Sequence, residues 1–313
     1  MSSEPRAPGL SRGLVAELTV RCDDEPSATR VALAWLTDGV QSASGGLDVQ
    51  AFNPAVKVAA SGYQSIPHAL LGGDTGAAWG YITASPADSW GVLYNPYGPD
   101  SVPWLREQIE ARAESVAVEV GGGEEVTSGG PGPARLSVAF DEDLAGHVRL
   151  RWHVEEQQLL GTGRGGANQR TLASVLREFA HAYPVVFAHL SHETPDSQTE
   201  WEKCLRGMRS DPAANTTEWP DRLRGYSWIT VAPEPAAQAL GGADALRSTG
   251  AFSEVEVLPN GSFWLKATDD YRDYDPAHVR RVWQATRNAL IPGDPKPPGE
   301  VPGGGSAWMV AFE

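Results

Sequence analysis

The alternation of apolar and polar positions starts at Leu14. Leu14, Ala16, Leu18 and Val20 fall on one side of an extended run, and Val15, Glu17, Thr19 and Arg21 on the other. That is the period of a half-buried strand over 14–21. Ala28, Val31, Ala32, Trp35 and Leu36 then recur at helical spacing behind Ser27, which predicts a helix capped by that serine. Short β candidates follow at 47–52, 56–60, 79–84 and 90–94, punctuated by Leu71-Gly72-Gly73 and Asn95-Pro96. Ser101 opens a second helix with Val102, Leu105, Ile109 and Ala113 inward, and 116–120 reads as a strand. The order β-α-β-β-α-β is a ferredoxin-like pattern.

Residues 121–133, rich in Gly and Pro, read as a linker. Strands are expected again at 134–140 and 147–155. A helix with Leu172, Val175, Leu176, Phe179 and Tyr183 on one face follows, then a buried-type strand at 185–190. The stretch 193–224 is polar, with a short helix expected at 199–207. The best-patterned region is 225–290. Its β-rich run 226–231 stops at Pro233 and Pro235. Two further runs, 252–258 and 262–268, flank Pro259-Asn260-Gly261, and Asn-Gly between alternating runs signals a hairpin. Asp275-Pro276 supplies an N-cap and first helical position for an apolar face of Val279, Val282, Trp283, Thr286 and Leu290. The expected organisation is a disordered lead (1–12), an N-terminal α+β domain (13–120), the linker (121–133), a C-terminal α+β domain (134–292) and a Pro/Gly tail (293–313) with a final strand. The fold class is α+β, in two halves of ferredoxin-like character, with antiparallel sheets and helices packed on one face.

Charge narrows the partners. The 313 residues carry a formal net charge of −15. Nucleic acid is thereby disfavoured, because the phosphate backbone calls for a basic face. An acidic surface steers toward a basic partner. Two cysteines without a CxxC spacing give neither a cysteine zinc site nor a disulfide framework. No apolar run reaches the ~18 residues of a membrane span, and Met1–Ser11 lacks an apolar signal core, so a cytoplasmic protein is expected.

Candidate chemistry is sparse. Gly161-Thr162-Gly163-Arg164-Gly165-Gly166 fits a dinucleotide-binding spacing. The strand before it alternates, however, where a central parallel strand would be continuously apolar. The run Asp269 to Asp275 lacks the glycine and terminal glutamate of a calcium loop. His189, His192 and Glu193 sit at a strand end, where residues three apart point to opposite faces and share a metal poorly. No nucleophile elbow, P-loop or zinc-protease motif is present. No catalytic residue, metal or cofactor is therefore expected. Two rival readings remain open: a ligand cleft between the halves, and an enzyme built on His153, Glu155 and His189.

Residues 169–292 nevertheless resemble a known family. Arg170-Thr171-Leu172-Ala173 opens a helix and Phe187-Ala188-His189-Leu190-Ser191 forms the next strand. Arg224-Gly225-Tyr226-Ser227-Trp228-Ile229-Thr230, Leu240-Gly241-Gly242 and Tyr274-Asp275-Pro276 complete the pattern. This looks like the bacterial α+β proteins grouped with polymorphic-toxin and type VI immunity proteins. The resemblance implies a non-enzymatic role, binding and neutralising a cognate toxin. Acidic and aromatic residues in polar segments suit the contact face of such a binder: Glu200, Trp201, Glu202, Trp219 and Asp221 in one segment, Asp269, Asp270 and Asp273 in another.

Overall fold

The computed structural model describes residues 13–43, 78–122, 134–155, 165–192 and 198–295. Their strands are β1 (Gly13–Arg21), β2 (Ala78–Ser85), β3 (Leu93–Pro96), β4 (Ser115–Gly122), β5 (Ala134–Ala139), β6 (His147–Glu155), β7 (Val185–His192), β8 (Ile229–Ala232), β9 (Glu254–Val257) and β10 (Phe263–Lys266). The helices are α1 (Glu25–Ala34), α2 (Val40–Ala43), α3 (Val102–Glu110), α4 (Gly165–Ala182), α5 (Glu200–Cys204), α6 (Pro212–Glu218), α7 (Glu234–Ala239), α8 (Ala243–Ser248) and α9 (Pro276–Thr286), with a π-helical stretch, Trp35–Gly39, between α1 and α2. The strand candidates at 47–52, 56–60 and 307–312 and most of the Gly161–Gly166 loop lie outside the described residues.

The class is α+β. The strands join in one antiparallel sheet of order β3-β2-β4-β5-β6-β1-β7-β8-β10-β9. Where one sheet per half was expected, a single sheet runs through both. The order β-α-β-β-α-β is present over 13–122, yet β1 pairs with β6 and β7, on the far side of residues 121–133. Its register, Glu17 opposite Arg151 and His189, places the first strand between two later ones.

This placement corrects the half-buried reading of β1. Leu14, Ala16, Leu18 and Val20 face α4 and the segment after α1, where the Trp35 ring meets Phe179 edge-on at 4.8 Å. Glu17 and Thr19, on the other face, are also buried, at 1% and 0% exposure. That second face is roofed by residues 198–228, which are joined to 288–295 by Leu223 N to Ala289 O (2.8 Å) and Ile291 N to Leu223 O (3.0 Å). The Trp201 indole N–H donates to Ile291 O at 3.1 Å.

The roof is fastened by charge. Arg224, 2% exposed, donates through Nε to Glu202 Oε1 at 3.0 Å and brings Nη1 to 3.7 Å from Glu17 Oε1. Arg151 Nε reaches the other oxygen of Glu17 at 3.5 Å. Glu202 further accepts from Thr199 N at 2.9 Å and Asn215 Nδ2 at 3.0 Å. The Arg224 guanidinium also lies over the Phe187 ring, 4.7 Å from its centroid. Burial alone would lower the Arg224 pKa, but the Glu202 and Glu17 carboxylates outweigh it and hold the group above its ordinary value. The cation is fixed in its charged form.

Caps follow their chemistry with one correction. Helix α1 is capped by Asp24, and Ser27 is the third helical residue, closing a reciprocal capping box with Asp24 (Ser27 N to Asp24 Oδ1, 2.8 Å). Asp275 and Pro276 open α9 as the sequence indicates. In the β9–β10 turn only Gly261 takes a positive φ, 82°, while Asn260 Oδ1 accepts from Ser262 N at 3.1 Å.

Gly225 belongs to the motif beside Arg224, and its reason is steric. A Cβ there would stand 1.9 Å from Thr199 Oγ1 and 2.5 Å from Thr199 Cβ. Thr199 caps α5 and bonds Glu202, so it has little freedom to move. Gly225→Ala is expected to destabilise the fold by about 2–3 kcal/mol, as overpacking does, read as a lowered urea midpoint at unchanged slope. Arg224→Gln leaves the buried Glu202 without a cation and Glu17 with Arg151 alone, and is expected to cost about 3–5 kcal/mol. Replacing Arg224, Glu17 and Glu202 together by apolar residues of similar volume is expected to cost far less. A triple variant no more stable than Arg224→Gln would contradict the desolvation argument.

Candidate functional site

The ends of several strands converge on one cavity. Strand β1 leaves the sheet at Cys22, whose N–H donates to Gly146 O at 2.8 Å, and the chain turns through Asp23 into α1. Beside it, β4 begins after Glu114 and β5 ends before Phe140, with Phe140 N donating to Glu114 O at 3.1 Å. The 3-10 turn Glu142–Leu144 carries the chain to β6. Together they enclose a cavity of about 730 Å³.

Its lining is strongly acidic. Asp23, Asp24, Glu25, Glu114, Asp141, Glu142 and Asp143 contribute carboxylates, against Arg112 and His147. Arg112 sits at φ 55°, the left-handed residue that closes α3, with Ala113 N reaching back to Gln108 O at 3.1 Å. Its guanidinium lies over the Phe140 ring, 4.8 Å from the centroid, which fixes it against the wall. Asp141 is bound by Arg149 Nη2 at 2.7 Å. The backbone N–H of Ser27 beside Asp24 holds that carboxyl below its usual range. Burial pushes the Cys22 thiol up, away from the reactive thiolate. The lining offers fixed negative charge over an apolar floor of Ala28, Phe140 and Leu144. Such a concavity can take a positively charged side chain and focus its approach.

A second cavity of about 440 Å³ shares Asp141 and Asp143. Gln198, Ser210 and Asp211 of the roof form its other wall, with Arg149 and Arg151 beneath. The roof and the acidic cavity are therefore adjoining structures.

The residues singled out from sequence are not brought together. Glu200, Trp201 and Glu202 point into the protein, at 3%, 8% and 0% exposure, which corrects their reading as a contact face. Their polar atoms have internal partners, which is the condition for burying them. Trp219 is half-buried against the core, and Asp221 beside it is exposed. Asp270 caps the turn Tyr271–Asp273, accepting from Arg272 N at 2.8 Å and Gln169 Nε2 at 3.2 Å. Hydrogen bonds from Arg272 hold its carboxyl well below the usual range. Asp269 and Asp273 are exposed and line a shallow cavity of about 620 Å³ with Arg272, Asp275 and His278. Lys266 of β10 pairs with Ile229, and Leu190 pairs with Ile229 on its other side. That register puts the 269–275 loop at the opposite end of the strands from the 730 Å³ cavity.

One constellation has the look of hydrolytic chemistry. Ser227 Oγ is hydrogen-bonded to Glu200 Oε2 at 2.5 Å and stands 3.4 Å from His189 Nδ1. All three residues are buried, with His189 at 0% exposure, so a substrate cannot reach them while the roof is in place. His189, offered from sequence with His153 and Glu155, thus lies inside the fold.

The signal for the acidic cavity was present in the sequence as two triplets, Asp23-Asp24-Glu25 and Asp141-Glu142-Asp143, each separated from the end of a strand by one residue. Among the described residues, no helix is long and apolar enough to cross a membrane. No family model matches the chain, and no curated protein does. Among solved structures it is similar to the T6SS protein PA0821 of Pseudomonas aeruginosa, at 14% identity and a TM-score of 0.48, over 89% of this chain and 76% of that one. Neither a family nor a function follows from a likeness at that level.

Proposed function

We propose that the protein is a non-enzymatic immunity protein that neutralises a basic toxin by stoichiometric occlusion, with the acidic cavity at the β1, β4 and β5–β6 ends as its contact site. The observation that carries this reading is the cavity lining, seven carboxylates against one arginine and one histidine around about 730 Å³. The net charge of −15 supports it, because a long-range field of one sign attracts a cationic partner. The resemblance of 169–292 to immunity proteins supplies the kind of partner. Binding of this sort gains association rate from surface charge and affinity from the groups that become buried.

The test begins with co-expression of the protein and toxic products of adjacent genes, and continues with kinetics on the complex. Glu142→Lys with Asp143→Lys is expected to slow association by about tenfold or more at low salt, with a smaller effect at high salt. Asp269→Lys with Asp273→Lys, at the other end of the sheet, is expected to leave the rate nearly unchanged. If the second pair carries the loss, the contact lies on the 269–275 loop. If neither pair does, or no partner rescues growth, the electrostatic occlusion reading fails.

A further inference from the structure

Three buried glutamates, Glu200 and Glu202 of the roof and Glu17 of β1 beneath it, have charges that are not matched alike. Glu202 and Glu17 share Arg224, and Glu17 also meets Arg151. Glu200, two residues before Glu202 in the same short helix, has as its hydrogen-bond partner the neutral hydroxyl of Ser227. Ser227 in turn stands between that carboxyl and His189 Nδ1. The three residues belong to α5, to the segment entering β8, and to β7. Their contacts therefore join the roof to the sheet.

We propose that Glu200 is carried as the neutral acid in the folded protein and forms, with Ser227 and His189, a proton-operated latch that fastens residues 198–228 to β7. The proton fits one continuous arrangement. The Glu200 O–H donates to Ser227 Oγ, and the Ser227 O–H donates onward to His189 Nδ1. When the proton leaves for solvent, Ser227 turns its O–H back to the carboxylate and His189 loses that donor. Two carboxylates then stand charged in one turn of the interior, with Arg224 already engaged by Glu17 and Glu202.

The other groups facing Glu200 settle the direction. Lys203 on its own helix and the Ser227 hydrogen bond favour the charged form, whereas Glu202 opposes it. Tyr226 and Tyr274, which face it from two other elements, are held neutral by burial, and Cys204 of its own helix turns its Sγ to Glu200 O at 3.2 Å. Burial is the largest influence and holds the Glu200 carboxyl above its ordinary value. A carboxyl whose folded pKa is raised contributes stability that is fully present below the unfolded value, near 4.5, and lost as pH rises through the folded value. The Glu200–Ser227 contact is therefore tight while the carboxyl keeps its proton and loosens toward alkaline pH, and the onward bond to His189 belongs to the neutral imidazole, whose Nδ1 can accept. Because α6 of the same roof packs on the Glu142–Leu144 turn, loosening it would reshape the acidic cavity wall. The latch stands whether or not that cavity takes a partner.

Glu200→Gln tests it, since the amide can donate to Ser227 as the acid does but cannot ionise. Wild type and variant are expected to melt together at about pH 5. By about pH 9 the variant should melt at least about 2 °C higher. Amide protection factors over 198–228 should fall with pH in the wild type and stay flat in the variant. The infrared C=O band of a protonated carboxyl should be present in the wild type at neutral pH and absent from the variant. A gap that does not change with pH, or a variant less stable throughout, would overturn the proposal. The wild-type spectrum decides by itself if the variant fails to fold: no protonated-carboxyl band at neutral pH also overturns it.

Discussion

One guanidinium holds the molecule together across its longest separations in sequence. Arg224 binds a carboxylate from residue 17 and another from residue 202, so the first strand and the roof are fixed to each other through one side chain. Burying three ions costs much of what their attraction returns, so this arrangement is weak evidence for stability. Its value lies in uniqueness. A one-residue slip of β1 would turn Glu17 into the helix-covered face and Leu18 toward Arg224. With the charges in register, both faces of the strand are satisfied. With the strand slipped by one residue, a carboxylate and a guanidinium are stranded in the interior.

That constraint explains which parts of the fold were legible. Periodicity gave the strands at 14–21, 79–84, 116–120, 147–155 and 185–190 and the α4 face of Leu172, Val175, Leu176 and Phe179, all close to the observed elements. The α9 start was legible because Asp and Pro act locally. Pairing was not legible. A period of two says which side chains share a face and nothing about which strand lies alongside. The contact of β1 with β6 and β7 spans more than a hundred residues of sequence. The Asp24 cap was missed because, in a capping box, serine and aspartate each bond the other's backbone, and sequence alone does not say which is outside the helix.

The site shows the same division. Glu200 and Glu202 read as surface because an isolated charge is rarely buried. They lie inside because Thr199, Asn215 and Arg224 supply donors to Glu202 and the Ser227 hydroxyl pairs with Glu200, an arrangement from scattered positions that no spacing rule encodes. Trp201 followed them inward, since it is held in the same short helix and its indole N–H finds Ile291 O. Gly225 was visible as part of a motif but not as a packing requirement. Only the neighbour, Thr199, reveals it.

The acidic rim calls for a different account from the acidic interior. Inside, each ionised carboxylate has a cation, and the neutral acid has a hydroxyl. At the cavity, Asp24 caps a helix and Asp141 binds Arg149, so their charges have local work to do. Asp23, Glu142 and Asp143 are exposed and stand among carboxylates, whereas Glu25 lies in the first turn of α1, where negative charge favours the helix. Like charges that close repel, and their repulsion lowers the stability of the free protein. A cationic surface brought against them turns the repulsion into attraction and relieves it on binding. That relief is the electrostatic gain on which the proposed occlusion of a basic partner rests.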